Sequence, residues 1–173
     1  MKLLRGGKMK KSILILTLAM VVMIPVLVSA HCEIPCGIYN DKMRIDMLKE
    51  HITTIEKGMN QIVELGKATP VNYNQLVRWI SNKDEHATEF QHIVSQYFMT
   101  QRIKTVDGTD KAALEKYQKE VTLLHEMLVY AMKTKQGTDL ANVEKLKQLV
   151  DSFYDIYFTE EQKAHHHDDE HSH

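Results

Sequence analysis

Both cysteines of the chain fall in one stretch, His31-Cys32-Glu33-Ile34-Pro35-Cys36-Gly37-Ile38-Tyr39. Thiolates and neutral imidazoles are strong ligands for transition metals, and what precedes them decides what they can do. Residues 1–30 carry Lys2, Arg5, Lys8, Lys10 and Lys11 and no acid, then an apolar run from Ile13 to Val28, then Val28-Ser29-Ala30. That is the basic, apolar and small-residue order of a secretory leader. Cleavage between Ala30 and His31 gives a mature chain that begins with a free α-amine, an imidazole, the Cys32 backbone amide and the Cys32 thiol, a chelate within two residues. Without cleavage the amine is an amide and the chelate is not formed.

The apolar run is interrupted by Pro25 and is short for a permanent crossing of the roughly 30 Å hydrocarbon core, so the leader is expected to be removed rather than kept as an anchor. A lipid-attached cysteine needs a small residue before it, and His31 stands there. Met9 is an alternative start, because residues 1–8 add little to the leader. Loss of the leader takes five of the 22 basic residues and none of the 23 acidic ones, leaving the mature chain six charges negative. Such a balance argues against nucleic acid as a partner. The expected location is extracytoplasmic, periplasmic or secreted, with no membrane contact once mature.

Two cysteines in an exported protein can also form a disulfide. A Cys32–Cys36 bridge closes a loop of a few residues at the chain end and stabilises little, since the benefit grows with loop length. Zinc sites pair cysteines with further ligands from elsewhere, and the chain has no third cysteine. The spacing alone leaves a metal or a disulfide open.

The elements that must carry this hook are helical. Ile45, Leu48, Ile52, Ile55, Met59 and Ile62 are separated by alternating threes and fours, one face of a helix. Asn40 or Asp41 can cap its start, and Gly66 with Pro70 closes it. A second helix is predicted from about Tyr73 to Met99, with Leu76, Ile80, Ala87, Phe90, Val94 and Tyr97 on its stripe and Lys83 at the one polar stripe position. Asp107-Gly108 marks a turn. A third stripe runs Leu114, Tyr117, Val121, Leu124, Leu128, Ala131 from a start at Thr109 or Asp110 to Gln136-Gly137, and a fourth runs Val143, Leu146, Val150, Phe153, Tyr157. No stretch alternates as a strand would. The fold class is therefore all-α, an antiparallel up-down four-helix bundle over residues 40–160 with an N-terminal metal-binding hook at 31–39, after a leader at 1–30. Trp79, Met127 and Met132 lie off the seams and leave room for a subunit interface. Residues 161–173, rich in histidine and acid, are expected to be a disordered tail that handles metal weakly if at all.

The set His-Cys-x-x-Pro-Cys-Gly-x-Tyr at a mature N-terminus resembles the nickel hook of the nickel-type superoxide dismutases. The resemblance implies a redox-cycling mononuclear nickel, one per subunit, held by His31, Cys32 and Cys36, which disproportionates superoxide to oxygen and hydrogen peroxide. Anionic thiolate and amide donors suit planar dipositive nickel and ease its oxidation, the His31 imidazole joining axially in the oxidised state. Assembly needs unprotonated donors and weakens as pH falls.

Further roles are implied by the same likeness. Pro35 turns the hook, and Tyr39 lines the approach to nickel. Arg44-Ile45-Asp46 is similar to an Arg-Ile-Glu in the family, which gives Asp46 the task of steadying the His31 imidazole from outside the ligand set. Tyr97-Phe98 resembles a pair whose tyrosine approaches the metal. The family's following lysine is Met99 here, so Arg102 or Lys104 would have to supply positive charge. The likeness also implies a homohexamer and a processing peptidase.

His51, His86, His92 and His125 are read as surface or hydrogen-bonded residues. Glu89-x-x-His92 spells half of a di-iron motif, but no second copy occurs. The rival reading is a non-enzymatic extracytoplasmic nickel- or copper-binding bundle.

Overall fold

The computed structural model describes residues 37–170, with side chains as far as residue 165. The leader, His31, Cys32, Pro35, Cys36 and the end of the histidine-rich tail lie outside the described residues. The described residues from Asn40 onward belong to one compact unit, distinct from the one that holds Tyr39.

All regular structure of the second unit among the described residues is helical: α1 Asp41–Lys67, α2 Tyr73–His92, a π-helical continuation Ile93–Arg102, α3 Lys111–Gln136, α4 Ala141–Tyr157 and α5 Glu160–Glu170. None is long and apolar enough to cross a membrane. Several starts have a local cause. Asn40 accepts a hydrogen bond from Met43 N at 3.0 Å, Asn72 from Gln75 N at 3.2 Å, and Asp110 from Ala112 N and Ala113 N at 2.9 and 3.1 Å. These satisfy amides that have no partner within the helix. Asn40 is thus the α1 cap, which releases Asp41 for another task.

The four long helices close a ring, α1 packing on α2 and α4, and α3 on α2 and α4. Every pairing is antiparallel. Asp41 meets Tyr157, Lys49 meets Asp151 and Glu56 meets Lys147, so numbering rises along α1 as it falls along α4. His51 against His86 with Gly58 against Lys83, and Gln91 against Leu128 with Lys83 against Thr134, give the same sense for α1 with α2 and α2 with α3, which leaves α3 and α4, joined by Glu126 and Lys145, antiparallel as well. The up-down bundle expected from the apolar spacing is the observed one.

The core is the predicted stripes with two shifts. Ile45, Leu48, Ile52, Ile55 and Met59 of α1 are almost wholly buried, as are Phe90, Val94, Leu146, Val150 and Phe153. On α3 the buried line runs Glu120, Leu124, Met127, Ala131, Thr134. Met127 is therefore core rather than a residue beside the seam, while Leu114, Tyr117, Val121 and Leu128 are only half-buried. The buried line keeps the alternation of threes and fours and shares Leu124 and Ala131 with the expected stripe, but its other members are Glu120, Met127 and Thr134, so that Met127 stands in place of its chain neighbour Leu128 and the buried face is turned toward that side of the helix. At the far end of the bundle Ile80 is exposed, and with Tyr73 and Val77 it forms an outward apolar stripe on α2.

Two residues knit the far end. Lys83, 3% exposed, donates through Nζ to Asp84 Oδ1 at 2.7 Å and to the carbonyls of Thr134 and Lys135 at 2.6 and 3.1 Å. It thereby serves the last carbonyls of α3, which a helix C-terminus leaves without partners. A Cβ on Gly58 would lie 3.1 Å from the Lys83 Cβ, so this glycine sets how closely α1 approaches α2.

Among the described residues a further helix, α5, spans Glu160–Glu170. Its start is a capping box: Gln162 N donates to Thr159 Oγ1 at 3.3 Å while Thr159 N donates to Gln162 Oε1 at 3.0 Å. The sequence signal was Thr159-x-x-Gln162.

Candidate functional site

At the end of the bundle where α1 begins, one carboxylate gathers three elements. Asp41 Oδ1 accepts from Tyr97 Oη at 2.6 Å and Arg102 Nε at 2.8 Å, and Oδ2 accepts from Arg102 Nη2 at 2.7 Å and Tyr157 Oη at 2.8 Å. The guanidinium thus grips both oxygens in a fork, and a phenol completes each one. Burial pushes the Asp41 carboxyl up, but hydrogen bonds from Arg102, Tyr97 and Tyr157 outweigh it and hold the carboxyl below its ordinary value. Burial, then the neighbouring carboxylate, pushes both phenols well above theirs. The hydrogen bond to Asp41 does the same for the Arg102 guanidinium. At neutral pH the cluster is an ion pair flanked by two protonated tyrosines, and Tyr97 donates its proton to Asp41.

The winding of Ile93–Arg102 makes this possible. In an α-helix, Tyr97 and Arg102, five residues apart, would point about 140° from one another. In a π-helix the hydrogen bond itself spans five residues, and Ile103 N donates to Phe98 O at 2.9 Å in that pattern. Side chains repeat it: Thr100 Oγ1 donates to Ser95 O and Gln101 Nε2 to Gln96 O. Wider winding brings residues i and i+5 to one face, and both reach Asp41. Beneath them, Phe98 meets Phe153 edge-on at 5.1 Å between centroids, and Phe153 stacks on Tyr157 at 5.1 Å. This apolar floor fixes the rings that carry the two phenols.

The predicted site residues are distributed as follows. Tyr39 is 39% exposed, directly before the cap Asn40. Gly37, next after Cys36, has φ +88, a conformation that a side chain disfavours. Tyr97 is buried and belongs to the Asp41 cluster. Asp46 is held by Lys42 Nζ at 2.7 and 2.8 Å, one turn back along α1. Arg102, one of two candidates for free positive charge, is neutralised by Asp41. Arg44 enters the sequence reading only as a motif neighbour of Asp46. Its guanidinium lies 5.0 Å from the centre of the Tyr97 ring, and its Nε is the one buried side-chain nitrogen or oxygen without a hydrogen-bond partner among the described residues.

Asp41 and Tyr157 escape the sequence reading as site residues. Asp41 reads as a helix cap and Tyr157 as a seam aromatic; the available signal was a tyrosine rather than phenylalanine closing the α4 seam. Of the helical histidines, His51 and His86 share a hydrogen bond, Nδ1 to Nδ1 at 2.8 Å across α1 and α2. No group of three or more His, Cys, Asp or Glu side chains among the described residues could hold a metal ion. The stretch His31–Cys36, by contrast, carries two thiols and an imidazole in its sequence, donor types that suit transition metals such as nickel.

An antiparallel helical bundle, preceded in the sequence by a two-cysteine stretch and bearing a tyrosine–carboxylate–guanidinium cluster at its first helix start, defines a small all-α protein among the described residues. A family model of nickel-containing superoxide dismutase matches residues 26–161, which spans the hook and all four bundle helices. The chain belongs to that family, and is an oxidoreductase acting on superoxide. No curated protein and no solved structure gives a match.

Proposed function

We propose that the mature chain begins at His31 and holds one nickel per subunit through its α-amine, the Cys32 amide, the Cys32 and Cys36 thiolates and the His31 imidazole. When bound, nickel relays an electron from one superoxide to the next, so that two superoxide ions and two protons give oxygen and hydrogen peroxide. The observation that carries this reading is the family match across residues 26–161, which includes every donor and the leader's last residues. Pro35 turns the segment, Tyr39 borders the approach, and Asp46 steadies the imidazole from outside the ligand set. Tyr97, its proton committed to Asp41, orients rather than donates.

Export to the periplasm or medium, a processing peptidase acting at Ala30/His31, and assembly of the subunits as a hexamer belong to the same proposal. The exposed stripe Tyr73, Val77, Ile80 supports assembly, since such a face gains by being covered.

The test uses mature protein loaded with nickel. Cys32→Ser or Cys36→Ser is expected to abolish dismutation, followed by pulse radiolysis, while far-ultraviolet circular dichroism stays unchanged. A single alanine placed before His31 should do the same by displacing the amine. Wild-type protein that binds one nickel and leaves superoxide decay at the uncatalysed rate refutes the reading.

A further inference from the structure

Roughly 20 Å along α1 from Asp41, a surface cavity of about 400 Å³ opens between α1 and α2, lined by Thr54, Lys57, Gln75, Arg78, Trp79 and Asn82. No acid lines it. Lys57 and Arg78 take part in no ion pair among the described residues, in contrast to Lys49, Lys119, Lys145 and Lys147 on the same bundle. Two uncompensated cations facing one another across a groove create a local positive potential on a chain that is acidic once its leader is gone.

The remaining groups give that potential a shape. Trp79 is half-buried and presents its ring, with Lys57 Nζ 5.9 Å from the ring centre. Gln75 and Asn82 add amide donors from the same face of α2, Gln75 from its first turn. By helical phase this face lies on the opposite flank of α2 from the apolar stripe of Tyr73, Val77 and Ile80, so covering the stripe leaves the groove open. The volume is within the range of small-molecule pockets, about 300–1,000 Å³, and exceeds what a bare inorganic anion fills.

We propose that this groove binds a small anion carrying a flat ring, a carboxylate or phosphate monoester whose head lies between Lys57 and Arg78 and whose ring lies on Trp79. The inference is independent of the nickel reading. The chain has a single tryptophan, so its fluorescence reports on this groove directly. Mature protein is titrated at low ionic strength with adenosine monophosphate, benzoate and inorganic phosphate. The expected result is a saturable change with adenosine monophosphate or benzoate, at least about tenfold tighter than with phosphate and weakened by salt. Preference for one of the two organic anions assigns the head as phosphate or carboxylate. Lys57→Gln and Arg78→Gln each weaken binding about tenfold and together abolish it, with circular dichroism unchanged because both side chains are exposed. No saturable change with any of the three up to about 10 mM, or undiminished binding in the double variant, overturns the proposal. Phosphate binding as tightly as the organic anions overturns the part assigned to the ring.

Discussion

Asp41→Asn isolates the cluster at the start of α1 with almost no change in volume. One carboxylate oxygen becomes an NH2 group, and each oxygen receives one guanidinium N–H and one phenol O–H. A phenol can rotate its proton away and accept; the guanidinium has no acceptor to offer. Whichever oxygen is replaced, at least one N–H faces another, and Arg102 loses its counter-charge. Breaking a fully buried pair costs about 3–5 kcal/mol. Side-chain exposures of 16% for Asp41 and 26% for Arg102 admit water and reduce the expected loss to about 2–3 kcal/mol at pH 7. Urea unfolding followed at 222 nm measures it. The pH dependence is the sharper readout. The Asp41 carboxyl is held below its ordinary value in the folded chain, so its contribution is present above the ordinary carboxylate range and is lost as pH falls through the depressed folded value. The gap between wild type and Asp41→Asn should therefore narrow in acid. A gap under about 0.5 kcal/mol at pH 7, or one that stays constant down to pH 3, refutes the account of the cluster as a net stabilising ion pair.

Three other substitutions test the rest of the bundle. Gly58→Ala should lower stability by about 1 kcal/mol in thermal or urea unfolding, the gain in helix propensity being outweighed by the contact at 3.1 Å with the Lys83 Cβ. Lys83→Met should cost about 2 kcal/mol by the same measurement, because the Thr134 and Lys135 carbonyls lose their donor. His51 is held below its ordinary value by burial and then by His86, so the unfolded chain takes up its proton first and stability declines as pH falls below about 6.5. In His51→Gln the decline between pH 7 and 5 should be shallower.

How much of the fold and site was legible in the sequence depended on whether the signal was periodic. Alternating threes and fours gave the helices, and Asn40 and Asp110 were among the residues named at their starts. The family was legible because the residues that carry the resemblance, His31 to Tyr39, are adjacent in the chain. The Asp41 cluster was not, because its members lie 56, 61 and 116 positions away from the carboxylate, and the local reading of each was sufficient in itself: a cap, a packing tyrosine, a cation after a helix. Lys83 stands out as the polar member of an apolar stripe, but its purpose depends on where α3 ends. The winding of Ile93–Arg102 was hidden by the assumption that every helix repeats at about 3.6 residues.

That winding also makes the cluster depend on chain length as well as on residue type. A π-turn holds one residue more than the α-turn it replaces. A relative lacking one residue between Tyr97 and Arg102 could wind the stretch as an ordinary α-helix and still bring both side chains to one face, four residues apart, whereas one that keeps the five-residue spacing but winds as an α-helix would turn its arginine about 140° away from the carboxylate. Along this stretch the distance between two identities is itself part of the information, and an alignment that closes a gap there erases it.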